Sequence, residues 1–122
     1  MLRVKTQLCP SPIHGFGLFA DEDLSKGTLI WEFDWTFDVF IADGYLSKLP
    51  PQAQEWFRKV AWKKGDVWFA CCDTASFVNH SFTPNIGGYP QVIALRGITK
   101  GEELTEDYTL FDEDSVSVAF TR

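Results

Sequence analysis

The sequence predicts one mostly-β, α+β domain. Its apolar runs are short and broken by Gly, Pro and Asp, only one segment carries helical periodicity, and the strand–helix–strand alternation of a parallel sheet is absent. At 122 residues the chain has room for a single core, and a 45% hydrophobic, 16% aromatic composition is enough to fill it. The whole of residues 1–122 is therefore read as one domain.

The elements follow in order. Residues 2–8 alternate apolar and polar up to Pro10 and Pro12, which lack ladder donors, so a short edge strand is expected. Residues 14–20 and 28–33 read as two strands around the turn that contains Lys26 and Gly27. Pro50 and Pro51 introduce a helix over residues 52–62, with apolar residues at 53, 56, 57, 60 and 61 on one face. Lys63, Lys64 and Gly65 suit its C-terminus. Residues 67–71 suggest a buried strand, Phe77 and Val78 lead into the polar stretch Asn79-His80-Ser81, and residues 91–98 suggest another strand. After the turn at Lys100 and Gly101, residues 103–108 form a last short strand with Leu104, Glu106 and Tyr108 on one face.

Eleven Lys plus Arg stand against seventeen Asp plus Glu, a formal charge of −6. That balance repels phosphate backbones, so direct nucleic-acid binding is not expected, whereas a cationic peptide is attracted. The three cysteines, Cys9, Cys71 and Cys72, have no CxxC spacing and fit a reducing compartment. No apolar run approaches the roughly 18 residues of a membrane span, and residues 1–7 lack the apolar stretch of a signal peptide. The expectation is a soluble, cytoplasmic protein without membrane attachment.

Three motifs carry chemistry. Gly15-Phe16-Gly17-Leu18-Phe19-Ala20 fits a dinucleotide fingerprint on paper, but no buried strand leads in through Cys9-Pro10-Ser11-Pro12 and no helix follows to present its N-terminus. It remains a glycine turn between strands, one that also permits close backbone approach to a ligand. His80 has no partners at metal-ligand spacing, so no metal is expected. A Cys72–His80 dyad would depend on spatial proximity, and a polar turn in which Asn79, Ser81 and Asn85 satisfy backbone groups explains the stretch equally well. The acidic run 102–107 reads either as a solvated strand end or as a carboxylate beside the Tyr108 phenol.

Together and in this order, the motifs resemble the SET domain, the β-rich fold of S-adenosylmethionine-dependent protein-lysine methyltransferases. Gly15-Phe16-Gly17 matches the family's GxG motif. Residues 77–81 with Thr83-Pro84-Asn85 match its NHS…PN motif, and residues 101–108 match GEELTxDY. Trp31-Glu32-Phe33-Asp34 and Leu110-Phe111-Asp112 are similar to stretches of small bacterial members.

The resemblance implies several small sheets, a pseudoknot joining residues 79–80 to the Tyr108 strand, and a variable helical insert at about 38–66. It implies that Gly15, Phe16, Gly17, Asn79 and His80 bind S-adenosylmethionine. Tyr108 would be the catalytic hydroxyl, and Phe77, Tyr89, Glu106, Phe111 and Trp68 would be candidates for the walls of the substrate channel. The acceptor would be a lysine-containing protein or peptide, by analogy with histone-lysine methyltransferases. Two features depart from the family pattern: Glu106 stands where many relatives carry an aromatic residue, and no cysteine-rich zinc tail follows Tyr108. Phe111, Phe120 or a second subunit in a homodimer would then close the channel. A SET-like module that binds cofactor or a basic peptide without turnover is the alternative reading.

Overall fold

The computed structural model describes residues 1–88 and 90–110. Its strands are β1 (Thr6–Pro10), β2 (Phe16–Ala20), β3 (Leu29–Glu32), β4 (Val39–Ala42), β5 (Trp62–Lys64), β6 (Val67–Ala70), β7 (Asn79–His80), β8 (Ile86–Gly87), β9 (Gln91–Ala94) and β10 (Thr105–Glu106). Two helices, α1 (Asp43–Leu46) and α2 (Pro51–Val60), lie between β4 and β5. The strands make four small sheets: the β1–β2 hairpin, β3–β9–β8, β4–β6–β5 and a parallel β7–β10 pair. The mostly-β, α+β expectation is borne out.

Several boundaries differ from the sequence reading for identifiable reasons. The first strand begins only at Thr6, because Leu2 instead bridges to Trp31 and the Arg3 N–H donates to the Ile30 carbonyl. Pro10 is tolerated because a two-stranded hairpin leaves its outer edge unpaired. The long helix stops at Val60: Ala61 is extended, and Trp62 pairs opposite Phe69 in β5–β6. The strand at residues 91–98 ends at Ala94, and Ile98 bridges separately to Leu24.

Only residues 105–106 of the last expected strand pair. Tyr108 opens a 3-10 turn (Tyr108–Leu110), so it does not share a strand face with Leu104 and Glu106. Asp107 drives that turn, its Oδ1 accepting from both the Thr109 N–H and the Thr109 hydroxyl. Two further short helical pieces, α1 and the 3-10 turn Thr74–Phe77, carry too few residues for a periodic signal.

Two hydrophobic clusters result. The larger gathers Leu18, Ile30, Trp31, Val78, Ile86, Val92 and Leu104 among others. The smaller holds the insert together through Leu46, Ala61, Trp68 and Ala70. Alternation along β5 and β6 separates the two: Trp62 and Phe69 stack toward the large cluster, while Trp68 turns to the small one and donates its indole N–H to Asp43 at 2.7 Å. Buried Asp38 ties the root of the insert down by accepting from the Met1 amine and from the backbone N–H groups of Asp34 and Cys72.

Residues 101–106 run between β2 and β7, and this juxtaposition sets up the site. Gly101 donates to Ala20, Ala20 to Glu102, and Leu104 to Leu18, while Thr105 and Glu106 pair in register with Asn79 and His80. Asn85, only 3% exposed, pins the crossing: its amide donates to the Glu103 carbonyl at 2.8 Å, and its oxygen accepts from the Thr105 N–H at 2.9 Å. The Thr99 backbone N–H holds the Glu102 carboxyl below the usual carboxylate range against the cost of burial, and Arg96 adds to the lowering.

Candidate active site

A buried polar knot joins the three motifs. The Asn79 amide lies within donating distance of the Ser11 hydroxyl and the Glu103 carboxylate, and of the His14 and Phe16 carbonyls, all at 2.9–3.2 Å. Ser11 in turn donates to Glu103. Gly17 leaves room for this knot: a Cβ on it would lie 2.3 Å from the Glu103 carboxylate, which would have to move off its bonds to Asn79 and Ser11. Gly15 is required by conformation, with φ +47° in the left-handed region. Ser11 and Glu103 escape sequence reasoning because they lie 92 residues apart and meet only in the fold. Asn85 is legible as a polar turn residue and as the end of the NHS…PN stretch, but not in its bonds to Glu103 and Thr105.

Two hollows open on either side of Val78 and Asn79. The larger, with about 240 Å³ of free volume, lies between Gly15, Phe16, Phe77 and Asn79 on one side and Trp56 and Lys59 of α2 on the other. The narrower, about 30 Å³, lies beside Tyr108 and Glu106, walled by Trp31, Trp62 and Val78. Val60 and Ser76 border both. Beyond Glu106 the narrow hollow meets an outer groove past Ile86 and Gly88, flanked by Lys64 and Asp107.

Tyr108 lines the narrow hollow and reaches toward the larger cleft only through its bond to Val78. It is 2% exposed, its hydroxyl donates to the Val78 carbonyl, and its backbone N–H donates to His80 Nδ1 at 3.0 Å. The hydroxyl proton is thereby committed to Val78, and the phenolic oxygen keeps lone pairs for an electron-poor neighbour.

The site candidates therefore divide. Gly15, Phe16 and Asn79 line the large cleft. Gly17 faces the Glu103 carboxylate instead. The His80 ring packs against Tyr108 and Phe82, with centroids 5.2 and 4.4 Å away, so its imidazole holds the tyrosine turn and is not part of the cleft wall. Phe77, expected in the substrate channel, lines the large cleft, since the 3-10 turn that carries it faces β2. Trp68 does not line the narrow hollow, for its ring lies in the insert cluster; Trp62 and Trp31 line it. Glu106 lines the narrow hollow and, among the described residues, is the only ionisable side chain there apart from Tyr108 and Cys71. Tyr89 and Phe111 lie outside the described residues.

The donor set of the large cleft fits S-adenosylmethionine. Aromatic faces can cover its adenine, Lys59 can meet its carboxylate, and a glycine turn with no side chain leaves the backbone open. No cradle for a phosphate is needed.

The fold is β-rich with few helices, and comparison with known proteins makes the family assignment. Residues 15–109 match the model of the SET domain. The chain belongs to the SET family. It is 31% identical over 117 residues to a histone-lysine N-methyltransferase, H3 lysine-4 specific, of Aspergillus oryzae, covering 80% of this chain and 9% of that protein. It is 30% identical over 123 residues to the protein of the same description from Schizosaccharomyces pombe, covering 85% of this chain and 13% of that one. The chain thus spans only a small part of these relatives. Among solved structures, Chaetomium thermophilum Polycomb Repressive Complex 2 bound to GSK126 superposes with a TM-score of 0.73 at 18% identity, over 93% of this chain and 17% of that one. The same complex in an autoinhibited conformation bound to S-adenosylmethionine gives 0.70 at 19%, over 93% and 16%. These likenesses establish the fold.

Proposed function

We propose that this chain is a protein-lysine N-methyltransferase that takes its methyl group from S-adenosylmethionine and transfers it to the side-chain amine of a lysine in a protein or basic peptide. The observation that carries the reading is Tyr108 in the narrow apolar hollow, its hydroxyl bound to the carbonyl of Val78, the residue next to the Asn79 that lines the aromatic cleft.

When bound, the cofactor supplies a methyl group on a sulfonium, open to in-line attack. The protein's part is alignment, which removes roughly 7–11 kcal/mol of barrier in favourable cases. Gly15, Phe16 and Asn79 would hold the cofactor from the motif side. Trp31, Trp62 and Val78 would strip water from the lysine chain and so disfavour the ammonium, whose free pKa is about 10.4. Tyr108 would orient the amine and meet the electron-poor methyl with its oxygen. A phenol of pKa about 10 does not act as the base at neutral pH. Glu106 and Asp107 at the outer groove, with the acidic surface as a whole, would draw in a cationic segment.

Glu106 also motivates a second reading. A carboxylate in the amine hollow holds a lysine ammonium charged, which suits a module that binds a basic peptide without methylating it. The three free thiols suit a reducing compartment such as the cytoplasm.

The test is transfer of labelled methyl from S-adenosylmethionine into histone H3 and into proteins of a cell lysate, read by mass spectrometry. Wild type should add methyl to lysine. Tyr108→Phe should lose on the order of 10²-fold or more in turnover while its cofactor affinity by calorimetry stays close to that of wild type. Cofactor binding with no methylated lysine would select the binding-module reading, and full turnover by Tyr108→Phe would remove the tyrosine from its role.

A further inference from the structure

The insert helix α2 packs without burying a single residue, although one of its faces is apolar. Trp56, Lys59 and Val60 fall at spacings of three and four and therefore share that face. All three line the large cleft. Trp56 is 60% exposed there, opposite Phe16 at 53% and Phe77 at 38%. Three half-open aromatic rings around one cleft form a surface that a planar aromatic ligand would cover.

Among the described residues Lys59 is the one lysine or arginine lining the cleft, and no Asp or Glu lines it. Among the described residues its ion pair is with Glu55, 3.6 Å away on the helix surface, and both partners are solvated. An exposed pair of this type is weak and easily exchanged for a better-placed anion.

From this arrangement, and resting on the reading of the cleft as the cofactor site, we infer that α2 is the clamp for S-adenosylmethionine: Trp56 covers the adenine and Lys59 pairs with the methionine carboxylate. The recognition of the cofactor's two ends then comes from the insert, and the three sequence motifs position its centre.

The test is isothermal calorimetry with S-adenosylmethionine and with its decarboxylated analogue, which keeps the sulfonium and adenine but lacks the anion. Wild type should prefer the carboxylated ligand by about tenfold or more, the range of one charge-assisted contact. Lys59→Gln should erase that preference by weakening S-adenosylmethionine alone, and Lys59→Arg should restore most of it. Trp56→Ala should weaken both ligands by about five- to a hundredfold, the range of one base stacked on an aromatic ring, and Trp56→Phe should recover part of the loss. A Lys59→Gln protein that still discriminates as wild type does, or Trp56→Ala binding unchanged, would overturn the clamp while leaving the cofactor reading intact. Failure of wild type to bind either ligand would overturn both. Circular dichroism of each variant separates lost contacts from a lost helix.

Discussion

The motif half of the molecule and the insert are closed by different means. In the motif half, buried amides fasten segments far apart in sequence: Asn79 reaches His14 and Phe16, and Asn85 reaches Glu103 and Thr105. In the insert the small cluster of Leu46, Ala61, Trp68 and Ala70 does the work by apolar packing, and α2 lies on the surface. Directional bonds allow one arrangement, whereas an apolar cluster tolerates adjustment of what it carries. The difference suits the division of the site. In the proposed reaction the surroundings of Tyr108 must be held to a fraction of an ångström for an in-line transfer, while a wall that covers a bound ligand gains from adaptability.

The comparison is best broken at Asn85. Asn85→Ala removes both bonds that pin the crossing and leaves the Glu103 carbonyl and the Thr105 N–H buried without partners, at about 1–3 kcal/mol for each group. The whole fold should lose stability in a denaturant titration, with a lower midpoint and protection lost across the β1–β2 and β3–β9–β8 sheets alike. A midpoint equal to wild type would mean that the amide is not the fastening.

A smaller and more local effect sharpens the contrast. Trp68→Ala empties the centre of the insert cluster and frees Asp43, a truncation of the kind that costs about 3–5 kcal/mol. Native-state hydrogen exchange should show that loss in the β4–β6–β5 sheet, with β1–β2 and the β7–β10 pair still protected. Equal loss in both halves would show them to be one cooperative unit.

How far the sequence reveals this architecture depends on how local each determinant is. The helix over α2, the strands β2, β3, β6 and β9, and the three motif segments are readable because their signals lie within a few residues. The facing of Trp62 and Trp68 was not readable. Residues 67–70 are apolar on both faces, so alternation gives no preference until β5 and β6 are known to be paired. The same blindness hides which hollow Phe77 lines and that Tyr108 lies beyond the strand, since 3-10 turns leave no period to detect. Asn79 and Tyr108 were legible through the motifs they sit in. Ser11, Glu103, Trp56 and Lys59 acquire roles only once the chain is folded.

The central claim is that one cofactor cleft and one amine hollow meet at the Tyr108 hydroxyl. A crystal structure with S-adenosylhomocysteine tests it most directly. The account predicts the thioether sulfur in the cleft beside Asn79, directed across the partition at Tyr108 and Val78, with the narrow hollow beyond. Product seated in the outer groove past Glu106, or a cleft left empty at saturating ligand, would contradict it.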